Sequence, residues 1–124
     1  MPPTTPALPY NLGYRSYGVI AMSDVQQRID ALVKGNRVVL FMKGTAQFPM
    51  CGFSGRAMQI LNACGVHDVT TVNVLEDEDI RQGIKAYANW PTIPQLYVNG
   101  EFVGGSDIMT EMYQAGELQP LFKA

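Results

Sequence analysis

The spacing of apolar residues predicts that the folded part of the chain begins with a helix. After Ser23, apolar side chains recur every three or four positions, which is the period of one helix face. Ser23 and Gln26 match a capping box that opens this helix, and Gly35 is placed to end it as a C′ residue. The run Val38–Met42 that follows is wholly apolar, and this favours a strand that is buried on both faces of a sheet.

A second helix and a second strand follow from the same pattern. Helical periodicity leads from Cys51 to about Cys64, and Gly65 is placed to end the helix. Val69–Val74 reads as a strand parallel to the first one, because a helix connects the two. The acidic run Glu76–Asp79 then begins a third helix, where negative charge suits the helix dipole.

The last third of the chain predicts a rigid corner and a hairpin. Trp90–Pro94 contains two prolines, and its context admits a cis peptide bond between Ile93 and Pro94. The turn at Asn99-Gly100 joins strand Gln95–Val98 to strand Glu101–Val103 as antiparallel neighbours.

A fourth helix and a short closing helix complete the predicted order. Ser106 and Asp107 are expected as N-cap residues of the fourth helix, Gly116 ends it, and Leu118–Phe122 forms the closing helix. This order predicts an α/β protein with a four-stranded mixed sheet and helices on both faces, which is the thioredoxin-like arrangement.

Composition excludes several classes of function. The chain of 124 residues is long enough for one domain with a real core. Its net charge of −2 argues against a nucleic-acid binder, and no apolar run approaches the ~20 residues of a membrane span. Two cysteines without a mutual pairing geometry indicate a reducing compartment, so we expect a cytoplasmic protein.

Residues 1–21 differ from the remainder of the chain. Four of the eight prolines fall within the first nine residues, and Arg15 is the one charge before the predicted domain at residues 22–124. We therefore expect a mostly disordered extension. A transit peptide, which would direct the protein to the mitochondrial matrix, is the alternative, although one arginine is few for that pattern.

Cys51 is the candidate reactive residue. It stands where a buried strand has ended and a helix begins, so unpaired backbone N–H groups and Lys43 should lower its thiol pKa. The position that would hold a resolving cysteine in a C-x-x-C pair is Ser54. Cys64 lies thirteen residues on, about 20 Å along one helix, which is too far for a disulfide. Cys51 therefore uses an outside thiol, a metal, or neither, and Cys64 is expected to be structural.

Five ordered motifs resemble the single-domain monothiol glutaredoxins of the CGFS type. They span the predicted domain and are Met42-Lys43-Gly44, Cys51-Gly52-Phe53-Ser54, Asp79-Ile80-Arg81, Trp90-Pro91-Thr92-Ile93-Pro94-Gln95 and Gly104-Gly105-Ser106-Asp107. The resemblance implies a carrier of a 2Fe–2S cluster, which two protomers share through Cys51 of each chain and one glutathione thiolate each.

The resemblance also implies a glutathione site. Lys43 and Arg81 would bind the glycyl carboxylate, Ile93 would pair its backbone with the cysteinyl part, and Ser106 and Asp107 would meet the γ-glutamyl end. The remaining residues that it implies for the site are Gly52, Phe53, Thr92, Pro94 and Gly105. Many relatives carry cysteine in place of Ser106, so a secondary disulfide with Cys51 is lost here while cluster binding is left intact.

Two further functions follow from the same residues. One is a glutathione-dependent oxidoreductase that acts on glutathionylated proteins through Cys51 alone, an activity in which relatives of this type are generally poor. The other is a binding module that acts through a BolA-like partner. In the carrier role, apo iron–sulfur proteins would receive the cluster.

Overall fold

The computed structural model describes residues 23–123 and forms one mixed sheet with helices on both faces. The predicted extension, residues 1–21, lies outside the described residues. The elements in chain order are α1 (Asp24–Gly35), β1 (Val38–Met42), α2 (Gly52–Ala63), β2 (Val69–Asn73), a 3-10 turn (Val74–Glu76), α3 (Glu78–Tyr87), β3 (Gln95–Val98), β4 (Glu101–Gly104), α4 (Ser106–Gln114) and a closing 3-10 helix (Gln119–Phe122).

The sheet has the strand order β2-β1-β3-β4. Strand β1 pairs in parallel with β2 and antiparallel with β3, and β3 pairs antiparallel with β4. The predicted parallel crossover and the predicted hairpin are both confirmed. Asn99 and Gly100 have positive φ angles of 53° and 83°, as the tight hairpin turn requires.

Strand β1 divides the core into two layers. Val38, Leu40 and Met42 pack against α2 and α4 on one face, while Val39 and Phe41 pack against α1 and α3 on the other. All five side chains are fully buried. The prediction of a strand buried on both faces is therefore confirmed. The run is wholly apolar because successive side chains of this central strand face two different cores.

The first predicted helix is correct in position and in its N-cap residue, but two other capping details are wrong. The Ser23 hydroxyl accepts a hydrogen bond from the Gln26 backbone N–H at 3.3 Å, as predicted. The Gln26 side chain does not complete the box, since its amide donates to the Gly83 carbonyl of α3 at 2.9 Å. Gly35 is the last residue of α1 and not C′, because Asn36 already has an extended backbone.

The boundaries before α3 also differ from the prediction. Strand β2 ends at Asn73, whose side chain accepts from the Leu75 backbone N–H at 3.0 Å and opens the 3-10 turn that takes up Val74. The N-cap of α3 is Asp77, so only Glu78 and Asp79 of the four acids lie in its first turn.

The start of α4 corrects a further prediction. The N-cap is Gly105, and Ser106 and Asp107 are already helical. The chain leaves β4 through Gly104 at φ 152°, where an added Cβ would lie 2.7 Å from the Ile108 Cβ. This close approach requires glycine at position 104.

Candidate functional site

The loop between β1 and α2 holds Cys51 on a rigid mount. Its ends are joined by a hydrogen bond of 2.9 Å from the Met50 backbone N–H to the Lys43 carbonyl. Gly44 has φ 93°, and an added Cβ would come 2.5 Å from the Met50 backbone nitrogen. The loop can close this tightly only with glycine at that position. Cys51 follows directly as the extended N-cap residue of α2, as predicted.

The surroundings of the Cys51 sulfur stabilise its thiolate. The backbone N–H of Ser54 lowers the pKa of the Cys51 thiol most, and the Phe53 N–H, the Lys43 charge and the Ser54 hydroxyl lower it further. Partial burial opposes these effects, but the net pKa lies below that of an ordinary thiol. The predicted direction is confirmed. The amide groups of the helix start contribute more than Lys43 does.

Ser54 has a structural role that the sequence did not reveal. Its side chain is fully buried, and its hydroxyl accepts a hydrogen bond of 3.0 Å from the Lys43 backbone N–H. The same hydroxyl stabilises the Cys51 thiolate. Ser54 therefore connects the residue that carries the cation to the residue that carries the thiol.

Cys64 lies at the opposite end of α2. It is the C-cap residue, it is half-buried, and burial raises the pKa of its thiol. Its thiol is therefore less ionised than that of Cys51, which agrees with the expected structural role.

A cavity of about 440 Å³ opens beside Cys51, within the usual volume of ~300–1,000 Å³ for small-molecule sites. It is formed by the loop after β1, one face of α3, the turn before β3 and the start of α4. The predicted site residues that line it are Lys43, Cys51, Phe53, Arg81, Thr92, Ile93, Pro94, Gly105, Ser106 and Asp107. Gly52 is exposed and does not line the cavity.

The charges around the cavity are mostly positive. Lys43 stands on one side, and Arg81 and Lys85 stand together on one face of α3. Asp107 is the acidic side chain among the lining residues. The Arg81 guanidinium makes only a long contact of 4.0 Å with Glu78, and it therefore retains donors for a bound anion. A protein with a net charge of −2 thus presents a cationic site.

The turn before β3 and the start of α4 form two further walls of the cavity. The Ile93–Pro94 peptide bond is cis, as the sequence context admitted. Gly105 caps α4 without a side-chain hydrogen bond, so the cap supplies no acceptor to the first N–H groups of this helix, whose first residues line the cavity. An added Cβ at Gly105 would lie 3.1 Å from the Pro94 carbonyl oxygen, so the two walls touch each other.

Four lining residues were not predicted for the site. These are Lys85, Trp90, Pro91 and Ile108. Trp90 stacks at a tilt on Phe102 of β4, with ring centroids 5.4 Å apart. The position of Trp90 beside Pro91 in the rigid corner was the available signal.

The first testable prediction concerns the acidity of Cys51. Iodoacetamide should alkylate the wild-type thiol with a midpoint well below ~8.5, the ordinary value. Lys43→Ala should raise this midpoint, because a stabilising charge is removed. Cys64→Ala isolates the Cys51 signal in both proteins. A midpoint at or above the ordinary value would contradict this account of the site.

Comparisons with known proteins agree with this geometry. The glutaredoxin family profile matches residues 38–103, which cover β1 to β4. The chain belongs to the glutaredoxin family. The solution structure of reduced poplar apo GrxS14 superposes with a TM-score of 0.68 and 51% identity, covering 77% of this chain and 87% of that one.

Curated relatives narrow the assignment. An uncharacterized monothiol glutaredoxin of Synechocystis, described as ycf64-like, is 60% identical over 100 residues, which are 81% of this chain and 92% of the relative. Monothiol glutaredoxin-5, mitochondrial, of Schizosaccharomyces pombe is 50% identical over 103 residues, which are 82% and 70% of the two chains. The chain is a monothiol glutaredoxin.

One exclusion concerns membranes. Among the helices at residues 23–123, none is both long and apolar enough to cross a bilayer.

Proposed function

We propose that this protein binds glutathione in the cavity beside Cys51 and that two copies carry a 2Fe–2S cluster between them for iron–sulfur protein biogenesis. One observation carries the proposal. A single thiol with a lowered pKa stands on the rim of a cationic cavity, and the second cysteine of the chain lies at the far end of the same helix.

The proposed glutathione site uses three walls of the cavity. Lys43 and Arg81 bind the glycyl carboxylate, since both are cations on the lining. The turn at Thr92 and Ile93 pairs its backbone with the cysteinyl part. The γ-glutamyl end meets Asp107 through its ammonium group and the start of α4 through its carboxylate. The sulfur of glutathione then lies on the Cys51 side.

The ligand count requires a second chain and two outside thiols. A 2Fe–2S cluster takes four thiolates. Within residues 23–123, no group of three or more histidine, cysteine, aspartate or glutamate side chains converges to hold a metal. Two copies supply two Cys51 thiolates, and two bound glutathiones supply the others.

The face around Cys51 suits a second protomer. Three large apolar side chains close to it in sequence are well exposed, namely Phe48 at 75%, Met50 at 68% and Phe53 at 61%. A group of large exposed apolar side chains is typical of a surface that binds another protein. Cluster binding brings these two faces together, so the proposed dimer depends on the cluster.

Partners and location extend the proposal. Apo iron–sulfur proteins receive the cluster, and a BolA-like protein is a further partner. We assign the protein to the cytoplasm, with the mitochondrial matrix as the alternative if residues 1–21 direct import. Both compartments are reducing, which would keep the two thiols reduced.

An absorption spectrum tests the proposal. The chain is reconstituted with ferrous iron, sulfide and glutathione under anaerobic conditions and then desalted into buffer that contains glutathione. Sulfur-to-iron charge-transfer bands and a brown colour are expected, and Cys51→Ser should lack both. A colourless wild-type product, or an equally coloured Cys51→Ser protein, would contradict the carrier role.

The lowered Cys51 pKa also favours a second function, thiol–disulfide exchange. The Cys51 thiolate attacks the glutathione sulfur of a glutathionylated protein and forms a disulfide with it. The bond from glutathione to the substrate protein breaks, and the cysteine of that protein leaves as a thiolate that takes up a proton. A glutathione thiolate then attacks the Cys51–glutathione disulfide, releases the Cys51 thiolate and forms oxidised glutathione. Turnover of a glutathionylated peptide by cluster-free protein would support this role, which we expect to be weak.

A second prediction concerns Cys64. Cys64→Ala should keep its full cluster absorption, because this thiol lies at the far end of α2 and is half-buried against the core. The matched variant is Cys51→Ala, which removes one thiol from the same helix and should lose the cluster. Loss of the cluster in a folded Cys64→Ala protein would show that Cys64 takes part in binding.

A further inference from the structure

A buried amide stands directly behind one wall of the cavity. Gln95 is the first residue of β3, and its side chain is fully buried. Its Nε2 donates hydrogen bonds to the carbonyl oxygens of Trp90 at 3.1 Å and Thr92 at 3.2 Å. Its Oε1 accepts a hydrogen bond from the Tyr97 hydroxyl at 2.8 Å. Gln95 therefore joins two points of the turn that forms the cavity wall.

The bonding of this amide is complete. Both N–H groups of Gln95 are used, and the carbonyl oxygen has a donor. A buried amide without partners would be costly, so a polar residue at this core position is tolerated only while the turn keeps its shape. The shape of the turn also depends on the amide, because the turn has no helix or strand hydrogen bonds of its own to fix its carbonyl groups.

Tyr97 determines which way the amide points. Its ring is buried edge-on against Phe41 at 5.7 Å and lies at a tilt to Phe102 at 5.4 Å. Burial raises the pKa of the Tyr97 hydroxyl well above its usual value, so the hydroxyl stays protonated and remains a donor. An oxygen of Gln95 must face this donor, and the NH₂ group must then face the turn.

We infer that Gln95 is a positioning residue for glutathione binding. This inference rests on the proposed function. Gln95 does not line the cavity itself. It acts through Trp90 and Thr92, and it fixes the backbone of Ile93 between them and cis Pro94 in the geometry that pairs with the cysteinyl part of glutathione. The sequence places Gln95 at the end of the Trp90–Gln95 motif and at the start of a strand, but its role depends on contacts that no spacing reveals.

Two substitutions of similar size separate this role from simple packing. Gln95→Met keeps the volume and loses all the hydrogen bonds, whereas Gln95→Glu keeps the shape and sets a carboxylate against two carbonyl oxygens. Glutathione is titrated into the apo protein in a calorimeter. Its affinity should fall about tenfold in Gln95→Met, as the loss of the two hydrogen bonds to the turn implies, and it should fall further in Gln95→Glu. Tyr97→Phe retains the amide and should show a smaller loss in the same direction.

The matched control is Tyr87→Phe. It removes the Tyr87 hydroxyl, which donates to Asp30 at 2.6 Å, from a ring that also packs against Tyr97. It should lower the melting temperature but leave glutathione affinity near that of wild type. Amide hydrogen exchange supplies a second readout, since Gln95→Met should speed exchange in the peptide that covers residues 90–95 before it does so in β1.

The outcomes separate the two proposals. If the wild-type chain fails to bind glutathione, the proposed function is overturned, and this inference with it. If the wild type binds but the Gln95 variants lose no more affinity than Tyr87→Phe, only the positioning role is overturned. If Gln95→Met does not fold, Tyr97→Phe decides alone, and unchanged affinity with unchanged exchange at residues 90–95 would overturn the role.

Discussion

Arg81→Ala should raise the glutathione concentration needed for half-maximal cluster loading by about tenfold or more. Hydrogen bonds to charged groups contribute roughly 1.5–3 kcal/mol, and ~1.4 kcal/mol corresponds to a factor of ten in affinity. The Arg81 side chain is 34% exposed, so solvent screening favours the lower part of that range. The measurement is visible absorbance at a fixed iron and sulfide supply across a glutathione titration.

Arg56→Ala is the matched control for this experiment. Arg56 lies on the exposed face of α2 and does not line the cavity, yet its removal changes the net charge equally. It should shift the titration little. Equal shifts in the two variants would show that Arg81 acts only through the overall charge, and no shift in either would remove Arg81 from the proposed site.

Ser54→Cys should convert the protein into one that forms an internal disulfide. Ser54 lies in the first turn of α2, three residues after Cys51, and its backbone N–H stabilises the Cys51 thiolate. A thiol at position 54 would therefore lie beside the Cys51 sulfur and could displace glutathione from a mixed disulfide. We expect turnover of glutathionylated peptide to rise and cluster loading to fall, because an oxidised Cys51 cannot bind iron.

Mass spectrometry of the oxidised Ser54→Cys protein provides the measurement. The expected product is two mass units lighter than the reduced chain, and the loss of mass should lie in the peptide that contains positions 51 and 54. Ser54→Ala is the control, since it removes the hydroxyl without adding a thiol and should give only a glutathione adduct. A glutathione adduct alone in Ser54→Cys would contradict the placement of these two residues.

The fold was predictable because its signals are periodic and mutually consistent. The wholly apolar Val38–Met42 run indicated a central strand, and Asn99-Gly100 indicated a hairpin; both are confirmed. Helix ends were less predictable. The helix ends that were expected at Gly35, Ser106 and Glu76 each lie one or two residues from their predicted positions. Caps depend on local backbone angles that neighbouring residues also determine.

The site was predictable where a charge or a thiol carries the chemistry. Lys43 and Cys51 from the loop between β1 and α2, and Arg81 from α3, line one cavity, as the resemblance implied. The supporting contacts were not predictable. The Ser54 hydroxyl and the Gln95 amide act through backbone groups of other residues, and such contacts exist only once the chain is folded.

The central claim is that glutathione, the cluster and the second chain bind together. Analytical ultracentrifugation with detection in the visible range tests it across a glutathione titration. We predict that the coloured species sediments at the mass of two chains, that the colourless apo protein sediments as a monomer, and that removal of glutathione abolishes both the colour and the dimer. A coloured species at monomer mass, or a cluster that survives complete removal of glutathione, would contradict the account.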